Sequence, residues 1–272
     1  MSLSDYAFSI PPFSPQLDLS AGWDGITSFI SQLDFENYAY LLEESLYFNA
    51  LKSSLIIASL STLMTLLVAY PLAYAMACAP QKWRSVLVML VILPFWTSFL
   101  IRVYAWIGIL KKEGLLNLAL VSSGVIDEPL TILNTPTAVY IGIVYSYLPF
   151  MVLPIYAALE KMDGTLIEAA EDLGSSRLMA FWQVTFPLSM PGVIAGCFLV
   201  FIPALGEFVI PDLLGGSDTL MLGKQLWVEF FNVPDWTVAA AVAVVLLVLL
   251  IVPIVLFQRH QTRAQAREEG TI

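Results

Sequence analysis

The chain has 272 residues, of which 58% are hydrophobic and only 12% charged, and its mean hydropathy is +0.80. One water-soluble core of this length cannot hide that much apolar surface, so a soluble module is excluded and an integral membrane protein remains. The net charge of −10 decides little, because the acidic residues gather in the N-terminal segment and the loops, and no nucleic-acid partner is expected.

Residues 1 to about 36 carry Asp5, Asp18, Asp24 and Asp34, three prolines and no basic residue. They read as an extramembrane lead-in, and prolines at 11, 12 and 15 break the apolar residues too early for a signal peptide. From Asn37 to Asn49, Tyr40, Leu41, Leu42, Leu46 and Tyr47 alternate with Glu43 and Glu44, which predicts a short amphipathic helix at the membrane interface. It leads into the first of five runs long enough to span a bilayer: Leu55–Cys78, Val86–Leu110, Thr137–Leu159, Val193–Leu214 and Val238–Phe257. Arg102 interrupts the second run.

Lysine and arginine resist translocation, so their distribution sets the orientation. With the loop after the third span in the cytoplasm, Lys82, Arg84, Lys161, Arg177, Arg259, Arg263 and Arg267 are cytoplasmic, and Lys52, Lys111, Lys112 and Lys224 lie outside. The N-terminus is then outside and the C-terminus inside. The expected domains are an extracytoplasmic lead-in with its interfacial helix (1–50), a transmembrane domain (51–258) containing a cytoplasmic loop (161–191), and a cytoplasmic tail (259–272) in which His260 is one more positive-inside residue. An odd span count with an acidic N-terminus outside suggests that a first span precedes Met1.

Prolines 71, 94, 149, 154, 203, 211 and 253 fall in the spans, each freeing a carbonyl that lipid cannot satisfy. Kinks of this kind suit a transport pathway better than a rigid anchor. Cys78 and Cys197 lack a CxxC or Cys/His setting and read as small buried hydrophobes.

The segment Asp163–Gly192 is the one long water-compatible stretch of the second half. Thr165 and Glu168 form the pattern of a capping box, and Gly174 is placed to close the helix in a left-handed turn. Ser175 or Ser176 can cap a second short helix to about Gln183, which Pro187 is expected to end. Glu168-Ala169-Ala170, three residues, Gly174, nine residues, then Val184, Phe186 and Pro187 resembles the EAA signature of ABC importer permeases, with Val184 and Phe186 as conservative departures.

The resemblance extends over roughly residues 37–260. LPFWTSFLIRVYAWIGILKKEGLLN (93–117), VYIGIVYSYLPFMVLPIY (139–156), VFIPALGEFVIPDLLGG (200–216) and LWVEFFNVPDW (226–236) are similar to the polyamine branch, nearest its putrescine permeases. It implies an all-α membrane protein with the type I ABC importer permease fold. It also implies a second permease subunit, an ATPase dimer that binds ATP and Mg, a periplasmic substrate-binding protein and a small polyamine substrate. Relatives carry one more span before the position where this chain begins. By the same resemblance Glu168, Ala169, Ala170, Gly174 and Pro187 belong to a coupling helix seated in the ATPase.

Glu207 and Asp212 lie in the fourth span, where an ionised carboxylate faces protein, water or a partner charge. Two readings stay open: acceptors for a diammonium substrate, or a structural pair with Arg102. Trp96, Tyr104, Trp106, Tyr145 and Tyr147 could offer cation–π faces. Trp96, beside Pro94, fits the pathway, and Tyr104 and Trp106 fit the interfacial belt. Arg102 is expected to snorkel or pair.

The sequence has no GxxxxGK[ST] loop and no catalytic or metal constellation, so the chain is not expected to be an enzyme or to hold a cofactor. The expected function is the transmembrane subunit of an ATP-driven polyamine importer, putrescine by resemblance, working by alternating access. The alternatives are a permease for another small amine, or a stand-alone secondary transporter, against which the lack of an internal repeat argues.

Overall fold

A computed structural model of the chain describes residues 2–3, 11, 13–16, 18, 20, 22–216, 219–233 and 235–269, with only the backbone of 252–253 and 256–269. The basic tail side chains and most of the lead-in therefore lie outside the described residues. Among those described there are helices and no strand. Lipid offers no partner for a backbone N–H or C=O, so a span must bond to itself. In chain order the helices are α1 (Gly22–Ser31), α2 (Glu36–Glu43), α3 (Ser45–Cys78), α4 (Gln81–Ile92), α5 (Phe99–Leu110), α6 (Leu115–Ser122) and α7 (Pro136–Glu160). They continue with α8 (Thr165–Asp172), α9 (Arg177–Ala180), α10 (Phe186–Leu205), α11 (Val209–Leu214), α12 (Leu222–Trp227) and α13 (Trp236–Glu269).

Five uninterrupted spans are not found among the described residues. Three helical stretches are long and apolar enough to cross a membrane: Ser45–Cys78, Pro136–Glu160 and Arg177–Leu205. The second expected span is instead a pair, Gln81–Trp96 and Phe99–Ser122, bent by 88°. Pro94 opens a 3₁₀ turn over Leu93–Trp96, and Thr97 and Ser98 are extended, with ψ of 151° and 138°. A residue without an N–H followed by two extended ones cannot carry the α-helical ladder through. The fourth expected span begins earlier, at Arg177, and stops at Leu205, because Glu207 draws the next N–H groups to its own carboxylate. Of the fifth, Trp236–Ile251 is an apolar stretch at the start of the longer helix α13, and the side chains of residues 252–257 lie largely outside those described. The amphipathic helix expected over residues 37–49 is two helices: Glu44, with ψ 111°, separates α2 from α3. Pro71, Pro149, Pro154, Pro191 and Pro203 stay inside helices.

Contacts divide the chain into two units. In the unit of residues 53–219, Ala69, Ala73 and Met76 of α3 share a core with Met151, Val152 and Ile155 of α7 and Val193 and Val200 of α10. Helices α7 and α10 approach at small residues, as association in lipid favours. A Cβ on Gly192 would lie 2.5 Å from the Pro154 carbonyl oxygen and 2.7 Å from the Ala158 Cβ. We expect Gly192→Val to push α7 and α10 apart and cost about 1–3 kcal/mol, read as a lower melting temperature in detergent. An unchanged melt would show that the pair slides without loss.

In the unit of residues 1–52 and 220–272, Leu41, Tyr47 and Ala50 pack with Leu222, Val238, Ala241 and Val242. Its buried carboxylates are hydrogen-bonded, as burial demands. Glu229 Oε1 accepts from the Tyr47 hydroxyl (2.9 Å) and from Gln225 Nε2 (2.7 Å). Asp235 Oδ1 caps α13, accepting from the Thr237 hydroxyl at 2.9 Å and the Val238 N–H at 3.3 Å. Both cysteines are free; Cys197 is half-buried, whereas Cys78, the last residue of α3, is exposed and not the buried hydrophobe expected.

Candidate functional site

The loop between α7 and α10 is built from local rules. Helix α8 starts with a different cap from the one expected. Gly164 occupies the N-cap without a side chain, and the Thr165 N–H donates to Asp163 Oδ1 at 3.0 Å. That bond holds the Asp163 carboxyl below its ordinary range. The other end is the expected one. Gly174 has φ +89°, its N–H donates to the Glu171 carbonyl at 2.9 Å, and the Ser175 N–H reaches the Ala170 carbonyl at 3.0 Å. These paired bonds form a Schellman motif, which satisfies carbonyls that the helix end leaves open.

Ser176 then caps α9 by accepting the Met179 N–H at 3.3 Å. Pro187 does not end this second helix. Residues Phe181–Thr185 form a π-helical turn, and α10 continues from Phe186 with Pro187 in its first turn. A proline lacks the N–H for the residue four before it and its ring crowds that carbonyl; widening the preceding turn accommodates both. The loop is thereby joined through one helical rod to a membrane span.

Within the same unit, an aromatic seat holds the rod against α3. Phe181 meets Tyr70 and Tyr74 edge-on, with centroids 5.7 Å apart in each case, and Tyr70 lies 5.8 Å from Phe186. The Tyr70 and Ser189 hydroxyls share a hydrogen bond of 2.9 Å. Nearby charges tie α4 to the end of α7: Arg84 lies 4.0 Å from Glu160, and the Tyr156 hydroxyl donates to Glu160 at 2.7 Å. Residues about a hundred positions apart make this seat, so local spacing could not reveal it. Outward, α8 and α9 present Leu166, Leu173, Leu178 and Met179 together with Glu168, Ala169, Asp172 and Arg177, all exposed, while Ala170 is half-buried. Arg177 pairs with Glu171 at 3.6 Å. The result is a short, exposed platform with apolar and charged groups, fixed at both ends.

The second set of residues lies at the break after α10. Glu207 is only 7% exposed. Its Oε1 accepts the N–H groups of Phe208 (3.1 Å), Val209 (3.0 Å) and Ile210 (3.4 Å), and its Oε2 accepts the Tyr147 hydroxyl. The carboxylate therefore acts as the cap of α11 and a tie to α7. Asp212, one turn on, is exposed. The two carboxylates thus face different surroundings.

Arg102 is 9% exposed and has no ion-pair partner among the described residues, so it neither snorkels nor forms the expected pair. Its guanidinium carbon lies 4.8 Å from the Phe95 ring centroid and 5.7 Å from that of Phe99. Phe95 meets Phe150 edge-on at 5.1 Å, and Phe150 lies 6.1 Å from Tyr147. Arg102 and Glu207 are thus connected through a series of ring contacts, Phe95, Phe150 and Tyr147, and not by an ion pair. Trp96 is 73% exposed at the bend, Tyr104 is exposed, and Trp106 packs edge-on against Tyr145 at 5.3 Å. Among the described residues no cluster of His, Cys, Asp and Glu could hold a metal.

The family described as "Binding-protein-dependent transport system inner membrane component" matches residues 54–267. The chain is 45% identical over 233 residues to the spermidine/putrescine transport system permease protein PotB of Escherichia coli (strain K12), covering 82% of this chain and 84% of that one. Against PotB of Haemophilus influenzae the identity is 42% over 236 residues, 87% of this chain and 82% of the other. The inner membrane ABC transporter permease protein YdcU of E. coli is 29% identical over 248 residues, with 84% and 78% covered. Among solved structures, the crystal structure of a bacterial ABC transporter involved in the import of the acidic polysaccharide alginate has a TM-score of 0.67 at 19% identity, covering 90% of this chain and 89% of that one. A second crystal structure, of the bacterial alginate ABC transporter in complex with alginate pentasaccharide-bound periplasmic protein, also has a TM-score of 0.67 at 19% identity, with 90% and 88% covered. At that identity the likeness speaks for the fold alone.

Proposed function

Since the chain belongs to the binding-protein-dependent transport system inner membrane components, and is thus a multi-pass membrane protein, we propose that it is a permease subunit of an ATP-driven polyamine importer. Its substrate is spermidine or putrescine, as the names of relatives 42–45% identical to it suggest. The observation that carries the mechanism is the platform of α8 and α9, closed by Gly174 and continuous through the π turn with a span.

Glu168, Ala169, Ala170 and Gly174 form the coupling helix that a separate ATPase engages, and Pro187 sets the helical turn through which its motion reaches α10. ATP and Mg bind in that ATPase dimer, and this chain holds no cofactor. A second permease completes the pathway, and a periplasmic binding protein delivers the substrate. The loop and the C-terminus face the cytoplasm, and the lead-in of residues 1–50 lies outside. Closure of the ATPases displaces the platform, the rod transmits the displacement, and the spans alternate between outward and inward access. On the substrate side, Asp212 and Trp96 are exposed and supply a carboxylate and a cation–π face, whereas Glu207 holds α11 in place for them.

The test is uptake by proteoliposomes holding the chain, its second permease, the ATPases and the binding protein. Labelled putrescine should enter only with ATP, and unlabelled spermidine should compete. Uptake by this chain alone without ATP would refute the importer reading. ATP-dependent uptake of another amine, with no competition from either polyamine, would move the substrate class.

A further inference from the structure

The stretch from α12 to the start of α13 is built with its polar groups inward and its aromatic groups outward. Glu229 is the only charged residue between Leu226 and Val233. It lies in the π-helical turn Val228–Asn232 and is buried, with the Tyr47 hydroxyl and Gln225 Nε2 both donating to its Oε1. Trp227, Phe230 and Phe231, in contrast, are all exposed. They form one patch: the Trp227 and Phe231 ring centroids are 4.2 Å apart and those of Phe230 and Phe231 4.8 Å. Phe230 also stacks on Trp236, the first residue of α13, at 6.0 Å with 18° between the ring planes. Large exposed rings beside a charge that has turned inward are not a surface made for water.

Helix α13 shows what the patch faces. Along its apolar stretch Trp236–Ile251, Val238, Ala239, Ala241 and Val242 are buried, whereas Val244, Leu247, Val248 and Ile251 are exposed. Helices that meet in lipid approach through small side chains. Here the alanines lie on the inner side and the outer side is bulky and aliphatic, which is the surface a helix shows to acyl chains. Eleven residues make about three turns of α-helix, so Trp236 shares the face of Leu247, and the aliphatic face runs without interruption into the aromatic patch. Tryptophan at the end of an apolar stretch belongs at the level where hydrocarbon gives way to headgroups.

We propose that Trp227, Phe230, Phe231 and Trp236 form a wedge seated in the phospholipid at the membrane surface from which α13 starts, and that this wedge sets the depth of α13. Glu229 is its positioning residue. The carboxylate ties the π turn to Tyr47 in the first turn of α3, so the wedge is held at the level where two long helices begin. The occupant is lipid and not a second protein, because the patch continues a helix face that has no small residues through which another helix could pack.

The test attaches a nitroxide to Phe231→Cys in the full chain carrying Cys78→Ser and Cys197→Ala, inserted in phospholipid vesicles. Its collisions are measured with oxygen, which concentrates in hydrocarbon, and with a water-soluble nickel chelate. The oxygen-to-chelate ratio should exceed that at Asp127→Cys, an exposed loop position, by at least fivefold and should stay below that at Leu247→Cys. Trp227→Cys carries the label where Phe231→Cys inserts poorly. Adding Glu229→Ala should at least double the chelate collisions at position 231 and leave those at position 247 unchanged. A ratio at position 231 equal to that of the loop overturns the proposal, because the patch then faces water. Weak collisions with both reagents overturn it too, because protein then covers the rings, and so does a ratio that collapses when a second permease is reconstituted with the chain. An unmoved label in Glu229→Ala overturns the positioning role of Glu229.

Discussion

Gly174→Val is expected to abolish most substrate uptake, by at least tenfold, while the amount of inserted protein stays within twofold of wild type. Gly174 has φ +89°, a region that a β-branched residue adopts only under strain of about 1–3 kcal/mol. Nothing lies within 4 Å of the position where a Cβ would sit, so the damage comes from the backbone and not from a clash. Relieving the strain breaks the two bonds from Gly174 and Ser175 back into α8, and the platform loses its fixed angle to the rod. The spans make no use of this turn, which is why insertion should survive. Gly174→Asn, whose side chain tolerates the left-handed region, should keep more activity than Gly174→Ala, and Gly174→Ala more than Val. The measurement is ATP-dependent uptake in proteoliposomes, together with the amount of ATPase that co-purifies. Wild-type uptake by the Val variant would remove the coupling role assigned to this turn.

Changes at Glu207 should act on folding before they act on transport. Glu207→Ala leaves the N–H groups of Phe208, Val209 and Ile210 and the Tyr147 hydroxyl without their acceptor. A buried group stripped of its partner costs about 1–3 kcal/mol, and several are stripped at once, so folded protein in detergent should fall severalfold. Glu207→Gln keeps an amide oxygen for the helix cap and should lose much less. Uptake per folded molecule in the Gln variant should remain within about threefold of wild type. A fall of more than tenfold at unchanged yield would make Glu207 itself the acceptor of the substrate's ammonium group. Asp212→Asn is the contrasting change, since Asp212 is exposed.

The parts of this chain that were legible in its sequence are those fixed within one turn of backbone. Gly174 had to close a helix, Ser176 could cap the next, and the spacing around Glu168 to Pro187 named the loop. Asp163 displaces the expected capping box because its carboxylate, two residues ahead, accepts the Thr165 N–H that Glu168 would take in that box. Glu207 and Asp212 shared the same two readings in the sequence, but a carboxylate just before a short helix is also a cap, and that local bond separates their roles. The break in the second span was half visible. Pro94 announced it, but hydropathy averages over a bend and could not give its angle. The seat of Tyr70 and Tyr74 under Phe181 had no local signal, because it depends on how α3 and the loop meet in space.

The π turn at Phe181–Thr185 also preserves phase. Its hydrogen bonds skip one residue more than those of an α-helix, so it accommodates one residue that an unbroken ladder would place elsewhere. Each residue of an α-helix advances the face by roughly 100°. The wider turn absorbs that extra residue without its share of rotation, so deleting one residue between 181 and 185 should restore an uninterrupted ladder and leave α9 at almost the same angle to α10. The platform would then present the same edge, whereas inserting or deleting a residue within the regular ladder of α10 would turn it by that full step. In this fold the π turn lets the chain carry one more residue between the loop and the span without changing the direction in which the loop faces.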